Sequence, residues 1–563
     1  MKRMNALFSA LLFLVLLATS CSRKKKDVAA GYIPANASAV MAISGEQLMN
    51  KLSKEGVNYQ KIYNMIFGGL ADTTSTPGVF WQGAAQSGIN FKEPIYVSLT
   101  IPSKITDNDA ILRFILPLSD AKQFEKSIKG QDAEIKKEGD ITYAVLDESA
   151  FGHNGKHAIY VAHLNAETIT GVKVSGVFNN PDSAGSSEQE PFSAKKAMAL
   201  IKESFNLEKK NSLAGNDWFG DMPLDKNDMK LWLNYTNGIA GMLKGDASTA
   251  ALVLEPLLKN SFIASVMNFE TGKITGSSRM YFREEAAAAI KKSPPREIDL
   301  SLVQHFPGTQ LNGFMGFSLD PSTIRNILEF VKWDGAANVA LMSAGLTMDD
   351  LSDCLTGDIS LVFSDAQATQ LSVASPTSTL RRANWAAVAK LNNKIVFDKI
   401  MGSPKVQEKI KKDGELYLWR QDNDTLYLML KDKLLYLGAN KALLTQFMSG
   451  TAKNNFAGTL SRFSKKPMGM YISTGNSGNT ATGVEGLVQI FAGAVKEIVL
   501  TGNRFEKNYM QSELELATTN ASQNSLAGVF NAAFAYMQAQ MQAMMKEAAE
   551  EGDMPRLEPM KVD

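Results

Sequence analysis

Cysteine is nearly absent: the 563 residues hold two, Cys21 and Cys354. With Cys21 committed elsewhere, as argued below, no intramolecular disulfide can form, and stability must come from a packed core. Histidine is almost as scarce, with four, which limits metal sites and acid–base chemistry. Missing too are a glycine-rich phosphate loop, a dinucleotide fingerprint, a GxSxG nucleophile turn and an HExxH pair. These absences leave no catalytic residue and no cofactor to assign. Nor does either charge dominate. Removing residues 1–20 takes Lys2 and Arg3 from the 59 cations, leaving 57 against 58 anions. So balanced a chain has no general pull on nucleic acid, and no such partner is expected.

What is present begins with the N-terminal end. Lys2 and Arg3 precede a twelve-residue apolar run, Ala6 to Leu17. About 20 apolar residues are needed to span a bilayer, so this reads as a secretory signal. No second long uncharged stretch follows. Ala18, Thr19 and Ser20 lead directly into Cys21, and Leu17-Ala18-Thr19-Ser20-Cys21 resembles a bacterial lipobox, with Ala18 where leucine is commoner. The resemblance implies cleavage before Cys21, a diacylglycerol on its sulfur and an acyl chain, palmitate for instance, on the new amino terminus. Two or more chains hold a protein stably where one holds it marginally. An ordinary signal peptide with an incidental cysteine is the alternative. Arg23, Lys24, Lys25 and Lys26 would then sit beside the bilayer, each adding up to about 1 kcal/mol of attraction to anionic lipid. Surface-export tags of Bacteroidetes-type lipoproteins are acidic at this place. The basic "SRKKK" favours a periplasm-facing anchor, in the outer membrane of a cell envelope.

Hydrophobic residues make up 45% of the chain, enough for a buried core, and the length allows three or four domain-sized units. A long internal repeat organises them. "YIPANASAVMAISGEQL" from Tyr32 matches "HFPGTQLNGFMGFSLDPSTI" from His305, with Pro34 aligned on Pro307. Val40 to Ser44 fall on Phe314 to Ser318, and "LSDAKQFEKSI" falls on "LNNKIVFDKIM". Further on, "EIKKEGDITYAV" matches "KIKKDGELYLWR" and "KHAIYVAHLN" matches "DKLLYLGANK". One register held this long, drifting by a few residues, reads as duplication with small loop insertions. Ser44 with Gln47 predicts a capping box, and Asp320 followed by Pro321 predicts a capped helix start. Ser119 and Asn392 are expected as N-caps, and Phe124 with Ile128 as one apolar helix face. "FETGK" and "NRFEKN" lie between alternating apolar runs and predict hairpin turns.

These patterns predict an α+β fold: two tandem copies of a mixed sheet-and-helix module, mainly antiparallel, plus a C-terminal amphipathic helix. The expected divisions are a lipoprotein signal peptide at 1–20 and a basic tether at 21–31. A first repeat spans 32–290, with core 32–165, a linker at 179–191 and a second segment at 192–285. A second repeat spans 300–520, with core 305–445 and second segment 460–520. A helix at 521–551 and a tail at 552–563 follow.

Few residues invite a chemical reading. His153, His157 and His163 cluster in "GHNGKHAIYVAH". On one strand His157 and His163 share a face but lie roughly 20 Å apart, too far for one ion. His153 and His157 could meet across a turn, but two ligands make a poor metal site, so surface histidines on a hairpin are expected. Asp349, Asp350, Asp353 and Asp358 lack the spacing of a calcium loop and read as caps and exposed charges. Cys354, flanked by apolar residues, reads as a buried, inert thiol. Trp218 and Phe219, in the acidic "DWFGDMPLDKND", are expected either as an exposed recognition loop or as a local satellite core. Met537, Met541 and Met544 follow helical spacing. They are expected as a packing face, with partner docking as a second use and copper(I) ligation as a third.

With the lipobox, the "YIPANASAVMAIS" opening and the "GDISLVFS" strand (357–364) in view, the chain resembles large, uncharacterised Bacteroidetes lipoproteins carrying a domain of unknown function. The resemblance implies an envelope location and supplies no reaction. The expected function is a non-enzymatic, membrane-anchored scaffold or binding protein, held by lipidated Cys21 and meeting another envelope protein or polymer. A hydrolase or ligand carrier with its site in the cleft between the repeats is the alternative.

Overall fold

The computed structural model describes residues 28–57, 88–101, 109–129, 134–146, 149–165, 193–236, 255–293, 295–342, 345–365, 384–421, 424–473, 494–532 and 535. The signal segment, Cys21, the 179–191 stretch, Met537, Met541 and Met544 lie outside them. Twenty strands, all antiparallel, form one sheet among the described residues. The first ten are β1 (Ala39–Ile43), β2 (Ile95–Thr100), β3 (Asp109–Pro117), β4 (Ile135–Glu138), β5 (Ile141–Leu146), β6 (Ser149–His153), β7 (His157–Asn165), β8 (Met229–Asn234), β9 (Phe262–Glu270) and β10 (Lys273–Tyr281). The second ten are β11 (Leu311–Ser318), β12 (Leu355–Ser364), β13 (Asn384–Leu391), β14 (Ile410–Asp413), β15 (Leu416–Gln421), β16 (Asp424–Lys431), β17 (Leu434–Gly438), β18 (Met468–Ser473), β19 (Val495–Glu506) and β20 (Tyr509–Thr518).

The pairings give a spatial order β4-β5-β6-β7-β3-β2-β1-β8-β9-β10 in the first half. The second half repeats that order as β14-β15-β16-β17-β13-β12-β11-β18-β19-β20. The halves are not separate bodies. β10 pairs with β20 over nine positions, from Lys273 opposite Ala517 to Tyr281 opposite Tyr509. Since β10 and β20 hold the same place in their halves and run antiparallel, an approximate two-fold axis passes through this seam, near Ser277 and Glu513.

Local chemistry explains many element boundaries. β4 and β5 are joined by Gly139-Asp140 and β14 and β15 by Gly414-Glu415, and both glycines are left-handed, with φ of 59° and 64°. β4 and β14 end the sheet. Each is four residues long, "IKKE" and "IKKD", and carries two lysines, which discourage pairing with another chain's edge. Gly357 in β12 has φ of 88°, and a Cβ there would stand 1.7 Å from the Leu319 carbonyl oxygen. Asp320 caps the helix Pro321–Phe330 by accepting from Ser322 N–H, with Pro321 in the first turn, as the sequence implies. "FETGK" and "NRFEKN" are the β9–β10 and β19–β20 turns.

Other caps differ. Ser44 is the N-cap of Gly45–Lys54 but makes no side-chain cap bond, and Gln47 donates instead to the Asp225 carbonyl at 3.2 Å. The helix Ala121–Lys129 starts one residue late, so Asp120 caps it and Ser119 Oγ donates to Gly88. Near Asn392, the helix Ile395–Gly402 takes its side-chain bond from Asn393, whose Oδ1 accepts from Ile395 N–H. A full capping box forms instead between Thr347 and Asp350. The tether is shorter than expected, because Ala29 and Ala30 are already buried in the core. The C-terminal helix opens at Ser525, and Leu526, Ala527 and Phe530 pack on Leu52 and Val57.

One face of the sheet is covered in both halves. In the first, the helix Ala194–Phe205 and the stretches around Ala29–Tyr32 and Leu213–Leu224 lie over Val40, Ala42, Tyr96, Ile115 and Trp232. In the second, the helix Lys441–Ser449, with Leu302–Phe306 and Phe456–Phe463, lies over Phe314, Val362, Val388 and Tyr471.

Candidate functional site

The sequence-predicted residues come together only in part. His153 and His157 flank the β6–β7 turn, but both are buried, not on the surface as expected. Gly155 N–H donates to His153 Nδ1 at 3.2 Å, so Nε2 carries the proton and faces Glu125 Oε1 at 3.1 Å. Burial lowers the His153 pKa, and Glu125 opposes that shift. The His157 ring lies against Tyr32, 5.1 Å between centroids. Hydrogen bonds hold the His153 ring, and a ring contact holds that of His157. Among the described residues no group of three or more His, Cys, Asp or Glu is placed to hold a metal ion.

The exposed recognition loop is likewise corrected. Phe219 is buried against Trp232, and Trp218 stacks on Tyr281 at 5.3 Å in the main core of the first half. A turn of helix, Asp217–Gly220, capped by Asn216, folds both rings inward because apolar area gains more from burial than from water. Asp349 pairs with Arg325, and Asp350 serves the capping box and Lys399. Asp358 is not an exposed charge: it is buried and accepts from Ser318 Oγ at 2.6 Å. Cys354 is buried, and burial raises its thiol pKa, as expected of an inert thiol.

Two surfaces at the seam were not legible beforehand. On the covered side, alternate residues of β10 and β20 form a polar floor: Thr275, Ser277 and Arg279 opposite Glu515, Glu513 and Gln511. Arg462 bonds Glu515 at 2.5 Å and approaches Glu497 at 3.5 Å, while Lys466 reaches Asn503 at 2.7 Å and Glu513 at 3.4 Å. Arg279 Nε donates to Gln511 at 3.1 Å and its guanidinium lies 4.7 Å over the Tyr509 ring. Tyr281 OH meets Asp221 at 3.4 Å, and burial raises the Tyr281 pKa. These groups satisfy one another, and Arg279 crosses the seam to Gln511 and Tyr509.

On the opposite side the same strands are apolar. Directly opposed residues run Met229, Met267, Gly276, Leu514, Leu500, Met470, Met315 and Leu361 across eight strands, with Met41 and Leu231 in the next row. Leu231, Met315 and Ile472 are 39%, 41% and 38% exposed in mid-sheet positions. The helices Ala121–Lys129, on Phe114 and Tyr160, and Ile395–Gly402, on Leu391 and Leu435, mark the flanks of this face. The helices Glu284–Lys291 and Pro321–Phe330 close one end, over Met280, Phe505 and Met510. Its signal was present in the alternation of β8, β11 and β18, but alternation alone does not say which apolar set a helix will cover.

No helix among the described residues is long and apolar enough to cross a membrane. No curated protein matches the chain. Three crystal forms of TP0453, I, IV and III, align at 8%, 9% and 9% identity with TM-scores of 0.24, 0.25 and 0.24. They cover 45%, 45% and 46% of this chain and 77%, 79% and 84% of those chains, and at such scores the likeness carries no argument. A family model described as a domain of unknown function, DUF4836, matches residues 185–474, from just before the helix Ala194–Phe205 to the end of β18. That match takes in β10, ends before its seam partner β20, and covers more than half of the 563 residues, and the chain belongs to the DUF4836 family.

Proposed function

We propose that this chain is a lipid-anchored protein of a bacterial envelope, of Bacteroidetes type, that acts by binding. Its two halves descend from one duplicated module, its anchor is acylated Cys21, and its contact surface is the apolar face of the sheet. The observation that carries the binding reading is the mid-sheet exposure of Leu231, Met315 and Ile472. One face of an antiparallel sheet can stand in water, but it is then polar. A continuous apolar face marks an interaction surface. Its methionines suit an adaptable contact with a second polypeptide, since thioether side chains re-pack at small cost. Envelope glycans are polar and fit it poorly.

The rival, a hydrolase or carrier with its site between the halves, would draw on the seam residues. Arg279, Arg462, Glu513 and Glu515 are already engaged with other protein groups there, which favours the binding reading.

A photo-crosslinking side chain placed at Met315 or Leu231 in the native host tests the contact, with Lys411 on the β14 edge as control. A protein adduct of defined mass at the first two positions and none at the third is expected. Adducts equal at all three, or lipid adducts alone, would overturn the polypeptide partner. Cys21→Ala should move the protein out of the membrane fraction. If it stays, the anchor is wrong.

A further inference from the structure

The chain emerges for its anchor on the covered side of the sheet. Ala29 and Ala30 are buried in the covered-face core of the first half. Tyr32 packs on Phe205 at 5.4 Å and on His157 at 5.1 Å, and its hydroxyl meets Asn154 at 3.3 Å. The strand-like stretch that follows bridges Pro34 to Ser212. The exit point is thus surrounded by the helix Ala194–Phe205, the turn Lys209–Asn211 and the β6–β7 turn.

That surrounding surface is basic. Lys156, Lys195 and Lys209 are exposed and pair with no acid among the described residues. Lys202 is paired with Glu138 at 2.6 Å and Lys210 with Glu208 at 2.8 Å. Glu203, exposed on the same helix, is in neither pair. In the chain, Arg23, Lys24, Lys25 and Lys26, with Asp27, immediately precede this exit point.

The tether is short. Seven residue steps separate Cys21 from Val28 and span at most about 25 Å, so an anchor at Cys21 holds this exit point close to its leaflet.

We propose that the basic surface around Lys156, Lys195 and Lys209 rests on the anionic leaflet that holds Cys21, leaving the apolar sheet face turned away from that leaflet toward a partner. The orientation rests on the anchored reading above, and the electrostatic contact can be tested without it. Tethering keeps these lysines within the few Debye lengths where anionic headgroups act on them.

The test uses the full mature chain carrying Cys21→Ser, floated with vesicles of phosphatidylcholine alone or with about a third phosphatidylglycerol. Binding to the anionic vesicles, weakened by salt and absent on the neutral ones, is expected. Reversal to glutamate at Lys156, Lys195 and Lys209 should reduce the anionic partition by about tenfold or more. Reversal at Lys411 and Lys412, on the far β14 edge, should change it less than twofold. Equal losses for the two sets would show a net-charge effect, and no loss for the first set would remove the surface; either overturns the proposal. Matching unfolding midpoints exclude misfolding as the cause. A wild-type chain from host membranes that fails to float with neutral vesicles would sink the anchor instead, leaving the charge-reversal result to stand or fall separately.

Discussion

The two faces of one set of strands follow different rules. On the covered side Val40, Ala42, Tyr96, Trp232, Phe314 and Tyr471 are buried, and aromatic rings interlock: Trp232 stacks on Phe262 at 4.8 Å and Phe314 on Phe463 at 5.1 Å. One residue along each strand, Met41, Leu231, Met315 and Ile472 are partly or largely exposed. Away from the polar seam the two faces differ in shape: rigid rings in a fixed core against flexible methionines and small Gly276, Ser278 and Ser512 on an open one.

The largest effect expected from breaking that contrast is on the covered side. Trp232→Ala should cost about 3–5 kcal/mol, read from urea unfolding, because it empties a fully buried site. Asp228 is fully buried, bonded to Lys51 and to Phe269 N–H, and Asp228→Ala should cost about 3 kcal/mol. On the open side, Met315→Ser should shift stability by less than about 1 kcal/mol while abolishing the partner crosslink formed at Leu231. A large loss of stability there would show that the face is core after all.

The halves sharpen the comparison further. Arg113 on β3 stands opposite Ser98, where the second half has Ala386 opposite Val362. Arg113 is 3% exposed, its Nη1 donates to Thr100 at 3.1 Å, and burial lowers its pKa against the pull of Glu203. Because its acid neighbour is solvent-exposed, Arg113→Met strands no buried charge and should leave the melting temperature unchanged or raised. The smallest effect concerns His153, whose counterpart strand carries no histidine. In the unfolded chain it takes a proton below about pH 6.5, whereas burial resists that in the fold. The unfolded state therefore binds more protons as pH falls from there, and stability declines. His153→Gln should flatten the decline between pH 7 and 5.

Much of this was readable from neighbours in the chain. Gly139 and Gly414 announced equivalent hairpins, Asp320-Pro321 a helix start, and Phe124 with Ile128 a buried helix face, all of which the fold contains. The misreadings share a cause. Ser44, Ser119 and Asn392 were each plausible caps, but Asp120 and Asn393, one residue on, accept the helix N–H bonds at two of these starts, and at the third Gln47 donates to the distant Asp225 carbonyl instead of completing a capping box. Trp218 and Phe219, with acidic neighbours, read either as an exposed loop or as a satellite core, yet Phe219 is buried and Trp218 half-buried in the main core of the first half.

By itself the sequence determined the local grammar: strand alternation, hairpin glycines and a near balance of charge. These depend on residues a few positions apart, which physics couples directly. That β10 meets β20, that the polar seam joins the halves, and that helices cover one apolar face and spare the other were decided only in three dimensions. Those outcomes weigh packing among segments hundreds of residues apart, and no local pattern carries that sum.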